Sequence, residues 1–176
     1  DYFGSSVSLS NDGTILAIGA QYNDGPGNYT NHGHCQVYQY SNSVWTQLGG
    51  DLDGANDYDY FGSAVSLSSD GSIVAIGGNG GSNDSQGYAQ VYQRDESNTT
   101  VNPIGWTQLG SDILGMNKYD KFGNSIALNG DGTIVAIGGF QYDEDNSVDS
   151  DDDRGHVKVF QYINSDWTQL GDDILG

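Results

Sequence analysis

The chain has 176 residues, of which 24 are Asp or Glu and only five are Lys or Arg, giving a formal net charge of -19. Such a field repels polyanionic nucleic acid and an anionic membrane face, and leaves divalent cations, basic partners and neutral glycans as compatible ligands. One cysteine excludes an intrachain disulfide, and no apolar run approaches the ~20 residues of a spanning helix, so membrane insertion is not expected.

An acidic chain rich in Gly, Ser and Asn invites a reading of disorder, but its apolar residues are gathered into β-branched and aromatic runs that can build a core. Those runs recur. Asp1-Tyr-Phe-Gly, Asp59-Tyr-Phe-Gly and Asp120-Lys-Phe-Gly each open a copy, and each copy reaches a Trp-Thr-Gln-Leu-Gly that starts at Trp45, Trp106 or Trp167. The phase divides the chain into repeats 1–58, 59–119 and 120–176.

Within a copy the first strand covers Ser6 to Ser10, Ala64 to Ser68 or Ser125 to Asn129. It meets a tight turn, Asn-Asp-Gly, Ser-Asp-Gly or Gly-Asp-Gly, whose glycine supplies the positive φ of a short hairpin. The second strand follows at once, as Thr14 to Gly19, Ser72 to Gly77 or Thr133 to Gly138. After a variable loop comes a third strand, His34 to Tyr40, Tyr88 to Arg94 or His156 to Tyr162, with Val37, Val91 and Val159 alternating with polar or aromatic neighbours. The fourth strand carries the tryptophan. No segment has the spacing of an amphipathic helix, so each copy reads as a four-stranded antiparallel meander.

One such sheet cannot bury both faces alone, so the copies must pack face to face, and radial packing gives a β-propeller. The expected fold is all-β: three four-stranded antiparallel blades forming an open arc, since propellers close with about four to eight blades. Further repeats of the same chain or other chains would complete it. Phe3, Phe61 and Phe122, with Trp45, Trp106 and Trp167, recur once per copy and are expected to pack between blades. Cys35 takes a slot held by Ala89 and Val157 elsewhere and reads as a small buried residue.

The Phe-Gly heading each copy, the hydrophobic strand after it and the Ala-Ile-Gly second strand resemble the FG-GAP repeats of integrin α-subunit propellers, in the degenerate form found in extracellular proteins of microbes and algae. The resemblance implies a propeller blade and an extracellular or cell-surface setting. Integrin-type blades often hold calcium between the first two strands. Here that connection is only Asn11-Asp12-Gly13 and its counterparts, too short to encircle an ion that takes about six to eight oxygen ligands.

Other candidates lie in loops. Asp143, Asp145, Asp149, Asp151 and Asp153 crowd the last variable loop and could hold Ca²⁺, the one cofactor the sequence suggests; a solvated acidic loop is the plainer reading, because the equivalent loops are far less acidic. Asn28, Asn83 and Asn98 begin N-glycosylation sequons. His34 and His156 align with Tyr88 as aromatic fillers, and His32 sits in a loop with no Cys or second His at zinc-ligand spacing. Tyr22, Tyr29, Tyr58, Tyr119 and Tyr142, in loops or connectors, could stack on sugars or a partner protein. No nucleophile elbow or isolated acid/base pair stands out, so the sequence predicts a structural or adhesive module, such as a filament subunit working through self-association, rather than an enzyme. A carbohydrate- or calcium-binding, lectin-like propeller is the alternative.

Overall fold

The computed structural model describes residues 1–25, 30–80, 86–141 and 154–176. They form strands and turns with no helix among them, so no helix is long and apolar enough to cross a membrane. Blade 1 holds β1 (Ser6–Leu9), β2 (Ile15–Ala20), β3 (His34–Ser41), β4 (Val44–Gln47) and β5 (Leu52–Asp53). Blade 2 holds β6 (Phe61–Leu67), β7 (Ile73–Gly78), β8 (Tyr88–Arg94), β9 (Trp106–Gln108) and β10 (Ile113–Leu114). Blade 3 holds β11 (Ser125–Leu128), β12 (Ile134–Gly139), β13 (His156–Ile163), β14 (Asp166–Gln169) and β15 (Ile174–Leu175).

Each blade is the expected antiparallel meander with its outermost strand in two pieces. In blade 1, β3 pairs with β4 through Tyr38↔Gln47 to Ser41↔Val44 and with β5 through His34↔Asp53 and Cys35↔Leu52. The segment between them bulges out, and its aspartate holds it. Asp51 Oδ1 accepts from Gln36 Nε2 at 2.9 Å and Gln47 Nε2 at 2.6 Å, tying the outer strand to its neighbour. Asp112 does the same for Gln90 and Gln108, and Asp173 for Gln169 and Lys158. The recurrent Gln of Trp-Thr-Gln-Leu-Gly is therefore half of a clamp.

The first hairpin of each blade closes on its Asp-Gly turn. Gly13, Gly71 and Gly132 have φ of +72°, +72° and +75°, the conformation such a turn demands. The aspartate beside each glycine folds back on its own turn: Asp12 Oδ1 accepts from the Ser10 hydroxyl at 2.7 Å and the Thr14 N–H at 2.9 Å, and Asp70 repeats this with Ser68 and Ser72. Local donors thus occupy the carboxylates where an integrin-type repeat would offer ligands. The β3–β4 and β13–β14 hairpins turn on Asn42-Ser43 and Asn164-Ser165, all at positive φ, as a two-residue turn matched to strand twist requires.

The blades pack in chain order, large residues against small. Phe61, Val65, Leu67, Val74, Ile76, Tyr92 and Trp106 of blade 2 cover Ile15, Ala17, Cys35, Val37 and Leu52 of blade 1. Blade 3 meets blade 2 in the same way, with Phe122, Val135 and Ile137, backed by Ile126, Leu128, Phe160 and Trp167, over Ala75, Ala89, Val91 and Ile113. Phe61 and Phe122 are fully buried. Cys35 lies in the first of these junctions, and burial pushes its thiol pKa up to about 12.

Candidate functional site: the two open blade faces

The two internal junctions define what one blade presents to the next. The motif aspartate starts it: buried Asp59 accepts through Oδ2 from the Ala55 and Asn56 N–H groups, both at 2.9 Å, and from Tyr88 Oη at 3.0 Å, and Asp120 repeats the backbone bonds with Met116 and Asn117. This lays the Phe-Gly peptide against the preceding blade. The Phe61 N–H then donates to the His32 carbonyl at 3.2 Å, and the Gly62 carbonyl accepts from the Ser6 hydroxyl at 2.8 Å. Gly19 and Gly77 lie under Gly62 and Gly123 so closely that a Cβ on either would enter the facing carbonyl oxygen. At the outer end Trp106 Nε1 donates to the Leu48 carbonyl at 3.0 Å, and Trp167 Nε1 to the Leu109 carbonyl at 2.8 Å.

Blade 1 carries the covering half of this junction with no blade beneath it. Phe3 is 49% exposed, Val7 63%, Leu9 57% and Trp45 41%, whereas their counterparts Phe61, Val65, Leu67 and Trp106 are at most 8% exposed. The expectation that Phe3 and Trp45 pack between blades therefore does not hold within this chain. Phe61, Phe122, Trp106 and Trp167 do pack so, because each has a blade before it.

Blade 3 carries the receiving half uncovered. A cavity of about 370 Å³ lies between Gly138, Gly139, Gly155, His156, Val157 and Ile174, in the positions that seat Phe61 on blade 1. Val157 and Ile174 are 37% and 61% exposed, against 0% and 4% for Ala89 and Ile113. Both open faces are apolar on a strongly acidic chain.

Two other groupings lie in the first two repeats. His34, Asp51 and Asp53 bring ligand atoms within 4.8 Å of one another, with His34 Nδ1 3.9 Å from Asp51 Oδ2. Burial lowers the His34 pKa and raises that of Asp53, the nearby Asp51 charge adding to the latter. Sequence reasoning missed this set because its members are brought together by β3–β5 pairing rather than by spacing. Along one rim the rings of Tyr2, Tyr22, Tyr60 and Tyr58 follow one another at centroid distances of 5.0, 5.4 and 6.3 Å. Tyr2, Tyr58 and Tyr60 all adopt positive φ, uncommon for bulky residues.

Of the sequons, Asn98 is described: its Nδ2, the atom a glycan would take, donates to the Pro103 and Trp106 carbonyls at 3.0 and 2.9 Å. Asn28, Asn83 and the acidic set Asp143, Asp145, Asp149, Asp151 and Asp153 lie outside the described residues, as do Tyr29 and Tyr142.

The Phe-Gly peptide, seated twice on a preceding blade, is the signature element of one repeat family. Residues 1–38 match the FG-GAP repeat. No curated protein matches the chain in sequence. Among solved structures, the chain superposes on a Bacteroides fragilis protein provisionally named a 6-phosphogluconolactonase, with a TM-score of 0.58, 11% identity, and coverage of 96% of this chain and 38% of that one. A Bacteroides uniformis protein with the same provisional name gives 0.58 at 9% identity, covering 96% and 39%. The tricorn protease gives 0.52 at 8% identity, covering 93% and 18%.

At these identities the likeness is one of fold, and the chain spans under two fifths of the length of each neighbour. The neighbours nonetheless correct one expectation. The sequence predicted that the chain is not an enzyme, but it shares its blade architecture with proteins named for lactonase and protease activity, so lack of a familiar nucleophile motif is no ground for excluding catalysis.

Proposed function

We propose that this chain is an FG-GAP propeller module that works by blade-to-blade assembly through its two open faces, as a structural or adhesive component at the cell surface or outside the cell. One observation carries the reading: Phe3, Val7, Leu9 and Trp45 repeat the residues that cover a preceding blade at two internal junctions, yet stand exposed. About 25 cal/mol per Å² of apolar surface removed from water favours their coverage. The acidic surface opposes indiscriminate aggregation and leaves shape-matched contacts to select the partner. Hydroxyl-radical footprinting of the native particle tests this. Phe3, Trp45 and Ile174 are expected to be protected relative to the unassembled chain; full reactivity at all three in the native particle would remove the reading.

A second reading, of glycan binding, is favoured by the tyrosine run Tyr2–Tyr22–Tyr60–Tyr58, since rings held on a rim can stack on sugars. Titration with neutral oligosaccharides, followed by intrinsic tyrosine fluorescence, should then saturate in the wild type and not in Tyr22→Ala.

A further inference from the structure

Resting on the assembly reading, we propose that the partner is a second copy of this chain: the open face of blade 3 receives the leading face of blade 1 of the next copy, with Phe3-Gly4 entering the cavity of about 370 Å³. The contact is head to tail, so one copy uses a different face from its neighbour.

The chain carries both halves of the junction and completes it internally twice, so the incoming partners can be named position by position. Ser125 stands where Ser6 donates to the Gly62 carbonyl, and would donate to the carbonyl of Gly4. Trp45 Nε1 would donate to the Leu170 carbonyl, as Trp106 does to Leu48 and Trp167 to Leu109. Gly49 and Gly110 lie directly under those indoles, whereas nothing lies within 4 Å of a Cβ built on Gly171, the third member of the series. A Cβ at Gly138 would meet only atoms of its own blade, where one at Gly19 or Gly77 strikes the next blade's backbone. Gly4 and Gly13, on the leading side, likewise have nothing within 4 Å.

The turns agree. Asn11 N–H donates to the Ser69 carbonyl and Ser69 N–H to the Gly130 carbonyl, both at 2.8 Å, so Gly130 N–H is the next donor in line and Asn11 of a second copy its acceptor. One bond is lost. The Ser8 and Ser66 hydroxyls accept from the Leu67 and Leu128 N–H groups at 3.0 and 2.9 Å, but blade 3 has Ala127 at that position. The junction between copies is therefore weaker than the internal ones. The net charge of -19 on each copy weakens it further at low salt, and screening by salt should strengthen it.

The purified 176-residue chain tests this by sedimentation velocity over a range of concentration in high salt. Wild type should associate, Phe3→Asp and Gly138→Ala should each stay monomeric, and an equimolar mixture of the two should give a dimer and nothing larger, because one intact face remains on each variant. Circular dichroism that matches wild type shows that the variants fold. Should Gly138→Ala misfold, Trp45→Ala takes its place as a second leading-face variant and must also lose association. A wild type that stays monomeric, or variants that associate like wild type, overturns the second copy as partner. A monomeric wild type whose faces are still protected in the native particle overturns only this inference, whereas faces reactive there overturn the assembly reading itself.

Discussion

The indole N–H of Trp106 donates to the carbonyl of Leu48, 58 residues earlier, at 3.0 Å. This bond crosses from blade 2 to blade 1, and Trp167 repeats it onto Leu109 at 2.8 Å. A buried indole needs an acceptor, and the exposed edge of a preceding blade supplies one. The bond thus belongs to the junction and not to the blade.

Trp106→Ala is accordingly expected to lose about 3–5 kcal/mol, the range for deleting a buried large aromatic. Trp45→Ala should lose under about 1 kcal/mol in the unassembled chain, because its main partner is Tyr40, paired across the hairpin at a ring distance of 5.1 Å. Urea unfolding of the two variants side by side measures the contrast, and equal losses would mean that the tryptophan acts within its own blade.

Gly77→Ala places a methyl group against the Gly123 carbonyl, whereas Gly138→Ala meets at close range only the Ser125 hydroxyl, which can rotate away. The first should cost about 1–3 kcal/mol, as overpacking of a tight contact does, and the second well under 1. Thermal unfolding of the two proteins reads the difference directly.

Cys35 is fully buried at the first junction, and its thiol pKa stands at about 12. Since the thiolate is the reactive form, a maleimide should label native protein negligibly at neutral pH and label it fully in denaturant. Labelling rate against urea concentration should therefore track opening between blades 1 and 2. Rapid labelling of the native chain would show that this junction opens readily.

Acid should weaken the fold in two stages. Burial lowers the pKa of His34 and His156, so the unfolded chain takes up these protons first. Their contribution is present above the ordinary value of 6.5 and is lost as pH falls through the folded values. Asp12 and Asp131, hydrogen-bonded to Ser10, Thr14 and Thr133, also have lowered pKa values. Their contribution is present above 3.8 and is lost below it. The unfolding midpoint against pH should show the first fall in wild type and lose it in the His34→Phe, His156→Phe double variant.

Much of the blade was legible in the sequence, because its signals are local. The Asp-Gly turns fix the first hairpin by backbone stereochemistry, and alternation in the third strand fixes which side chains share a face. The outer strand was less so: the Gln36–Asp51–Gln47 clamp joins residues whose meeting depends on strand pairing, and β5 has only two residues. The His34, Asp51 and Asp53 grouping was hidden for the same reason.

Burial lay further from reach. Ile73–Gly78 and Ile134–Gly139 are the same hexapeptide, Ile-Val-Ala-Ile-Gly-Gly, and both form a second strand. In blade 2 that strand lies between two blades and Ala75 is fully buried; in blade 3 Ala136 is half-buried and Gly138 faces no following blade. Sequence by itself determined the strand, its turn and the residues that form a junction, since these follow from dihedral preference and period. Only the tertiary structure decided which junctions are filled, because a face is buried by its neighbour and not by its own residues.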